Sequence, residues 1–167
     1  MAELTPSERL QPSLLDRLTD EEPAKNQESR NRRVLSVQRL RESVLRDVAW
    51  LLNSASLPED DLEANYPHVA KSVVNYGLPD LAGLTASGID VAELEQIVKQ
   101  AIWDFEPRIM RHTLKVRART DSGDMSHNAL VFEIEGELWA QPIPLELLLK
   151  TEIDLETGDI AVTEVTR

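Results

Sequence analysis

Residues 102–119 read IWDFEPRIMRHTLKVRAR, and the hydrophobic period changes inside them. Upstream, Val91, Leu94, Ile97, Val98, Ala101, Ile102 and Phe105 recur at three- and four-residue steps, the signature of an amphipathic helix. Asp90, with Glu93 three residues on, supplies an N-cap. Pro107 lacks an amide proton and pushes Glu106 out of helical dihedrals, so the helix stops near Phe105. Downstream the period is two: Leu114, Val116 and Ala118 alternate with Lys115, Arg117 and Arg119.

Working outward, a second helical stripe runs from Ser36 to Asn53 through Val37, Leu40, Val44, Val48 and Leu51, with Arg41, Glu42, Arg46 and Asp47 on or beside its polar face. A shorter helix is expected from about His68 to Tyr76, followed by a turn-rich stretch holding Gly77, Pro79, Gly83 and Gly88. On the other side, Leu130, Phe132, Ile134 and Leu138 mark a second strand; Leu145, Leu147, Leu149, Ile153 and Leu155 a third; and Ile160 to Val165 a fourth, after a hairpin turn at Gly158. DSGDMSHN, between the first two strands, reads as an exposed loop. Helices first and strands last give an α+β fold, with N-terminal helices packed on a C-terminal antiparallel sheet of about four strands. Residues 1–33 are polar and proline-bearing and read as a flexible arm; 34–167 read as one domain. Within the arm, Leu14, Leu15 and Leu18 suit a short helical turn that docks either on the chain's own core or on a partner.

The formal charge of -12 argues against a nucleic-acid partner, which requires clustered cations to displace counterions. Basic residues gather at 30–46 and 108–119, while the last third is acidic, an asymmetry suited to steering protein partners. The absence of cysteine excludes disulfide and thiolate chemistry. With no signal-peptide core and no apolar run of membrane-spanning length, a cytoplasmic location without membrane insertion is expected.

Nucleotide loops, zinc spacings and nucleophile elbows are absent, and His68, His112 and His127 are scattered, so neither a cofactor nor a metal is implied. Carboxylates alone could support glycoside hydrolysis, which needs an acid with a raised pKa and a second carboxylate across a cleft. Asp104 and Glu106 sit across a helix end rather than a cleft, and Arg108 beside Glu106 favours the charged form. No catalytic residue is assigned. A peptidoglycan hydrolase and a soluble adaptor module are the alternatives to a structural role.

The stretches SLLDRL (13–18), RESVLRDVAWLLN (41–53), SVVNYGLPDLAG (72–83), IWDFEPRI (102–109) and FEIEGELWAQPIPLELLLKTEIDLETGDI (132–160) occur in an order that resembles the gp25-like family of baseplate wedge proteins. The similarity is greatest to the family's TssE branch, from type VI secretion. The resemblance spans about residues 14–165 and implies an assembly role in the platform on which a contractile sheath polymerises. The implied partners are wedge proteins of the TssF, TssG and TssK class and sheath proteins of the TssB and TssC class. Glu106, Pro107 and Arg108 match the family's Glu-Pro-Arg motif, which is implied to contact the wedge core; an internal lock between helix and sheet is the other reading. For the sheath, an exposed strand edge can pair with a partner strand, and the expected edge is the C-terminal hairpin with Leu145, Leu147, Leu149, Ile153, Ile160 and Val162.

Overall fold

The computed structural model describes residues 13–19, 23–24, 37–57, 65–70, 72–81, 90–119, 129–140 and 144–165. The elements are α1 (Leu14–Leu18), α2 (Val37–Leu52), α3 (Pro67–Ala70), a 3-10 turn (Val73–Asn75), α4 (Val91–Phe105), β1 (Lys115–Arg119), β2 (Ala129–Leu138), β3 (Leu145–Asp154) and β4 (Ile160–Glu164). The chain is α+β, as expected. Most of the expected arm, the glycines at 83 and 88 and the DSGDMSHN loop lie outside the described residues.

The sheet is an antiparallel meander in the order β1-β2-β3-β4. One face carries Val116, Leu130, Phe132, Ile134, Leu138, Leu147, Leu149 and Ile153, all buried. The two long helices close this face: α2 lies along β4, α4 along β1, and the two touch each other. Their stripes, Leu40, Val44, Val48 and Leu51 on α2 and Leu94, Val98 and Ile102 on α4, complete the core. Burying each such side chain contributes roughly 1.5–3 kcal/mol against leaving it in water. The other face is charged, and β1 sets cations opposite the carboxylates of β2: Lys115 faces Glu135 and Arg117 faces Glu133. Arg119 reaches Glu133 diagonally at 2.9 Å.

The ends of α4 follow from the sequence. Asp90 accepts the Ala92 and Glu93 amides, and Glu106 leaves helical dihedrals one residue before Pro107. The segment expected as one helix from His68 to Tyr76 instead forms α3 and a separate 3-10 turn. The Ser72 hydroxyl accepts the Val74 amide and starts this new turn, a local bond that competes with helix continuation. Buried Asn75 then ties the turn to a neighbouring loop by accepting the Leu57 amide at 2.8 Å. Next to it Gly77 sits at φ +132, and a Cβ there would lie 2.2 Å from the Ser54 carbonyl oxygen. That close approach lets Leu78 bond Ser54 and Ser56 bond Leu78, fastening the NYGLP stretch to the end of α2.

Candidate functional site

Glu106, Pro107 and Arg108 form a corner where α4 gives way to the sheet. Glu106 accepts the Ile109 amide through its carbonyl, closing a turn with Pro107 in its second position, where a fixed φ is favourable. The corner is stitched to the end of β2 by Trp139 donating to the Arg108 carbonyl at 2.7 Å and Met110 donating to Glu137 at 2.9 Å. Gly136 leaves room for Ile109, whose methyl would stand 3.0 Å from an added Cβ.

The side chains of the corner turn inward, except for exposed Pro107. Glu106 is only 4% exposed. Its Oε1 accepts the Arg108 amide at 3.1 Å and Nε at 2.7 Å, and its Oε2 accepts Nη2. The same guanidinium donates to Asp47 Oδ2 at 2.6 Å and to Ser43 Oγ at 3.0 Å, both on α2. Burial opposes the Arg108 charge, but the bonds and charges of Glu106 and Asp47 outweigh it and hold the group above its ordinary pKa. Lysine, a point charge, could not fork to three acceptors in this way.

Ser43 extends the arrangement. Its hydroxyl accepts from Arg108 and donates to Asp16 Oδ2 at 2.9 Å. Asp16 belongs to α1 and also accepts from Arg46 at 2.6 Å, while Arg46 pairs with Asp47. Carboxylates and guanidiniums thus alternate through Asp16, Arg46, Asp47, Arg108 and Glu106. Burial raises the Asp16 pKa, but hydrogen bonds from Arg46, Ser13 and Ser43 prevail and bring it to about 2. The result for α1 is an inverted docking: its acid faces the protein, while Leu14 and Leu18 are 70% and 74% exposed. Arg46 also lies over the ring of Trp50, 5.3 Å from its centroid.

The hairpin residues separate into two kinds. The backbone of Leu145, Leu147, Leu149 and Ile153 bonds β2, and β4 flanks β3 on its other side from Leu148 to Asp154. β4 is a sheet edge. The Asp154 amide donates to Asp159 and the Val165 amide to Leu148, which fixes the alternation: Ala161 and Thr163 bond β3, while the N–H and C=O groups of Ile160, Val162 and Glu164 point away from the sheet. Asn53, just past α2, covers the first of these. Its Oδ1 accepts the Ile160 amide at 2.9 Å and its Nδ2 donates to the Ile160 carbonyl at 2.8 Å. At the other end Arg41 pairs with the Glu164 carboxylate at 2.6 Å.

Sequence reasoning passed over Ser43, Asp16 and Asn53. A faint signal existed for Ser43: a small polar residue next to Val44 on the buried stripe, one turn before Asp47. Asn53 gave none, because a polar residue after a helix usually meets water or its own turn.

Asp104 is exposed and bonds Gln100 at 2.8 Å. Both oxygens of Glu106 are taken up by Arg108, so the two carboxylates do not form an acid and base pair across a cleft. Among the described residues no group of His, Cys, Asp or Glu could hold a metal ion, and no helix is long and apolar enough to cross a membrane.

No curated protein and no solved structure matches the chain. The family model described as baseplate wedge protein gp25 matches residues 38–143, a span that holds nearly all of α2, the Glu-Pro-Arg corner, α4, β1 and β2 and stops short of β3. On this match the chain belongs to the gp25 family of baseplate wedge proteins.

Proposed function

We propose that this protein is the TssE-type subunit of a type VI secretion baseplate, a cytoplasmic structural component that joins the wedge core to the contractile sheath and helps start sheath polymerisation. Membership of the gp25 family supports the baseplate role, and the ordered motifs from SLLDRL to the β3–β4 hairpin support the secretion branch. The observation that carries the sheath contact is the edge of β4, where Val162 and Glu164 direct backbone donors and acceptors outward. An extended partner segment gains affinity from those groups and specificity from alternate side chains. Since the backbone groups of Leu145, Leu147, Leu149 and Ile153 are used by β2, the pairing expected of the hairpin narrows to β4.

The wedge contact falls to the corner and its surroundings. Glu106 and Arg108 hold the turn; Pro107 is what it presents. α1, whose leucines are exposed, is held next to the corner, because Ser43 bonds both Arg108 and Asp16. Wedge proteins of the TssF, TssG and TssK class and sheath proteins of the TssB and TssC class are the partners in this reading.

Two substitutions test the two contacts. Pro107→Glu is expected to fold normally and to lose co-purification with the wedge proteins. Val162→Pro removes an outward N–H without touching the β3 ladder, and cells carrying it should assemble baseplates but not extend sheaths. Full sheath growth on a folded Val162→Pro subunit would overturn the sheath contact, and undiminished co-purification of Pro107→Glu would overturn the wedge contact.

A further inference from the structure

α1 is too short to persist as a helix by itself, because fixing one turn costs more entropy than its few hydrogen bonds offset. Tertiary contact must hold it, yet Leu14, Leu15 and Leu18 are all exposed. Among the described side chains of α1, only Asp16 bonds the rest of the protein, through Ser43 and Arg46. Both of these residues also lead to Arg108. The Ser43 hydroxyl donates to Asp16 Oδ2 at 2.9 Å, which aims its hydrogen at α1 and turns a lone pair to Arg108 Nη1 at 3.0 Å. Arg46 donates to Asp16 Oδ1 at 2.6 Å and, from Nε and Nη2, to Asp47 Oδ1, which leaves Asp47 Oδ2 to Arg108 at 2.6 Å.

We propose that α1 is a latch on the Glu-Pro-Arg corner: its docking through Asp16 positions the Arg108 guanidinium, and release of α1 loosens the corner. With Asp16 disengaged, the Ser43 hydrogen turns to other acceptors, its lone pair leaves Arg108, and Arg46 loses the bond that aims its fork at Asp47. Arg108 then keeps Glu106 but holds α2 less tightly, since bonds in such a chain strengthen one another. Asp16 is therefore a positioning residue, acting on the corner through groups it shares with Arg108. The coupling is reciprocal: whatever steadies α1 in its docked place steadies the corner by the same factor. A wedge partner seated on the leucines of docked α1 meets a corner already in order. That consequence rests on the wedge contact proposed above, whereas the coupling itself does not.

Hydrogen exchange followed by NMR on the isolated full chain tests it. The Thr19 amide, bonded to Leu15, reports α1; Arg108 Nε–H, bonded to Glu106, reports the corner; the amide of buried Val98 reports the middle of α4. Asp16→Asn should abolish Thr19 protection and speed exchange at Arg108 Nε–H roughly threefold or more, with Val98 unchanged. In a Ser43→Ala background the same substitution should move Arg108 less, because one of the two routes is gone. If Ser43→Ala fails to fold, Arg46→Gln removes the other route and carries the same expectation. The latch is overturned if Asp16→Asn frees Thr19 while Arg108 Nε–H keeps its natural rate, or if Val98 accelerates as much as Arg108. It is equally overturned by a natural chain whose Thr19 amide is unprotected, or by an Asp16→Asn effect that neither background diminishes. No wedge protein takes part in these measurements, so failure of the latch is read separately from failure of the wedge contact, which Pro107→Glu reports.

Discussion

At the residue scale the decisive group is the Arg108 guanidinium, which meets Glu106, Asp47 and Ser43 at once. Removing it leaves Glu106 as a buried carboxylate without its cation, the situation in which breaking an ion pair costs most. Arg108→Ala should therefore lower unfolding free energy by about 3 kcal/mol in denaturant titrations. A loss of wedge binding in that variant consequently reports folding as well as contact, which is why exposed Pro107 is the better probe. Asp16 makes a pH prediction. Its folded pKa of about 2 lies below the ordinary value of 3.8, so its hold on α1 is complete above about pH 4 and is lost as the pH falls through about 2. Protection of the Thr19 amide, which bonds Leu15 at the end of α1, should follow that curve in hydrogen exchange. Asp16→Asn should show the unprotected level throughout.

At the scale of elements, neighbouring strands of one hairpin have opposite tolerance. Leu149 faces the core, and its backbone bonds Ile134 of β2. Leu149→Pro should cost about 3 kcal/mol or more, seen as a collapse of the thermal transition. Val162→Pro, on the edge, should cost about 1 kcal/mol, mostly from lost packing. From sequence these strands look alike, since both alternate apolar and polar residues. The alternation reports which face is buried and is silent on whether a strand has a neighbour on each side. The ends of α4 were legible because Asp90 and Pro107 act within one turn of the chain. The interruption at Ser72 was not, because the helical pattern continues across it and a buried Asn75, bonded to the distant Leu57 amide, favours the break.

At the scale of the whole molecule, the charge asymmetry of the sequence changes meaning. The basic run at 115–119 and the acids at 133–137 look like separate surfaces for partners, yet β1 and β2 lay them side by side, and much of each neutralises the other. Arg46 and Arg108, from the two basic stretches, meet at the corner and are balanced there by Asp16, Asp47 and Glu106. The surfaces proposed for assembly are correspondingly specific: exposed Pro107, with α1 held next to its corner, and part of one strand edge.

The sequence by itself determined the two long helices, the strands, their faces and the turn at Pro107, because each depends on periodicity or on dihedral limits acting over a few residues. It also carried the motifs of the gp25 family. Only the tertiary structure decided that Arg108 grips α2, that α1 turns its leucines outward, and that β4 is an edge whose Ile160 backbone is bonded by Asn53. Those features arise from contacts between residues far apart in the chain, whose partners no local pattern specifies.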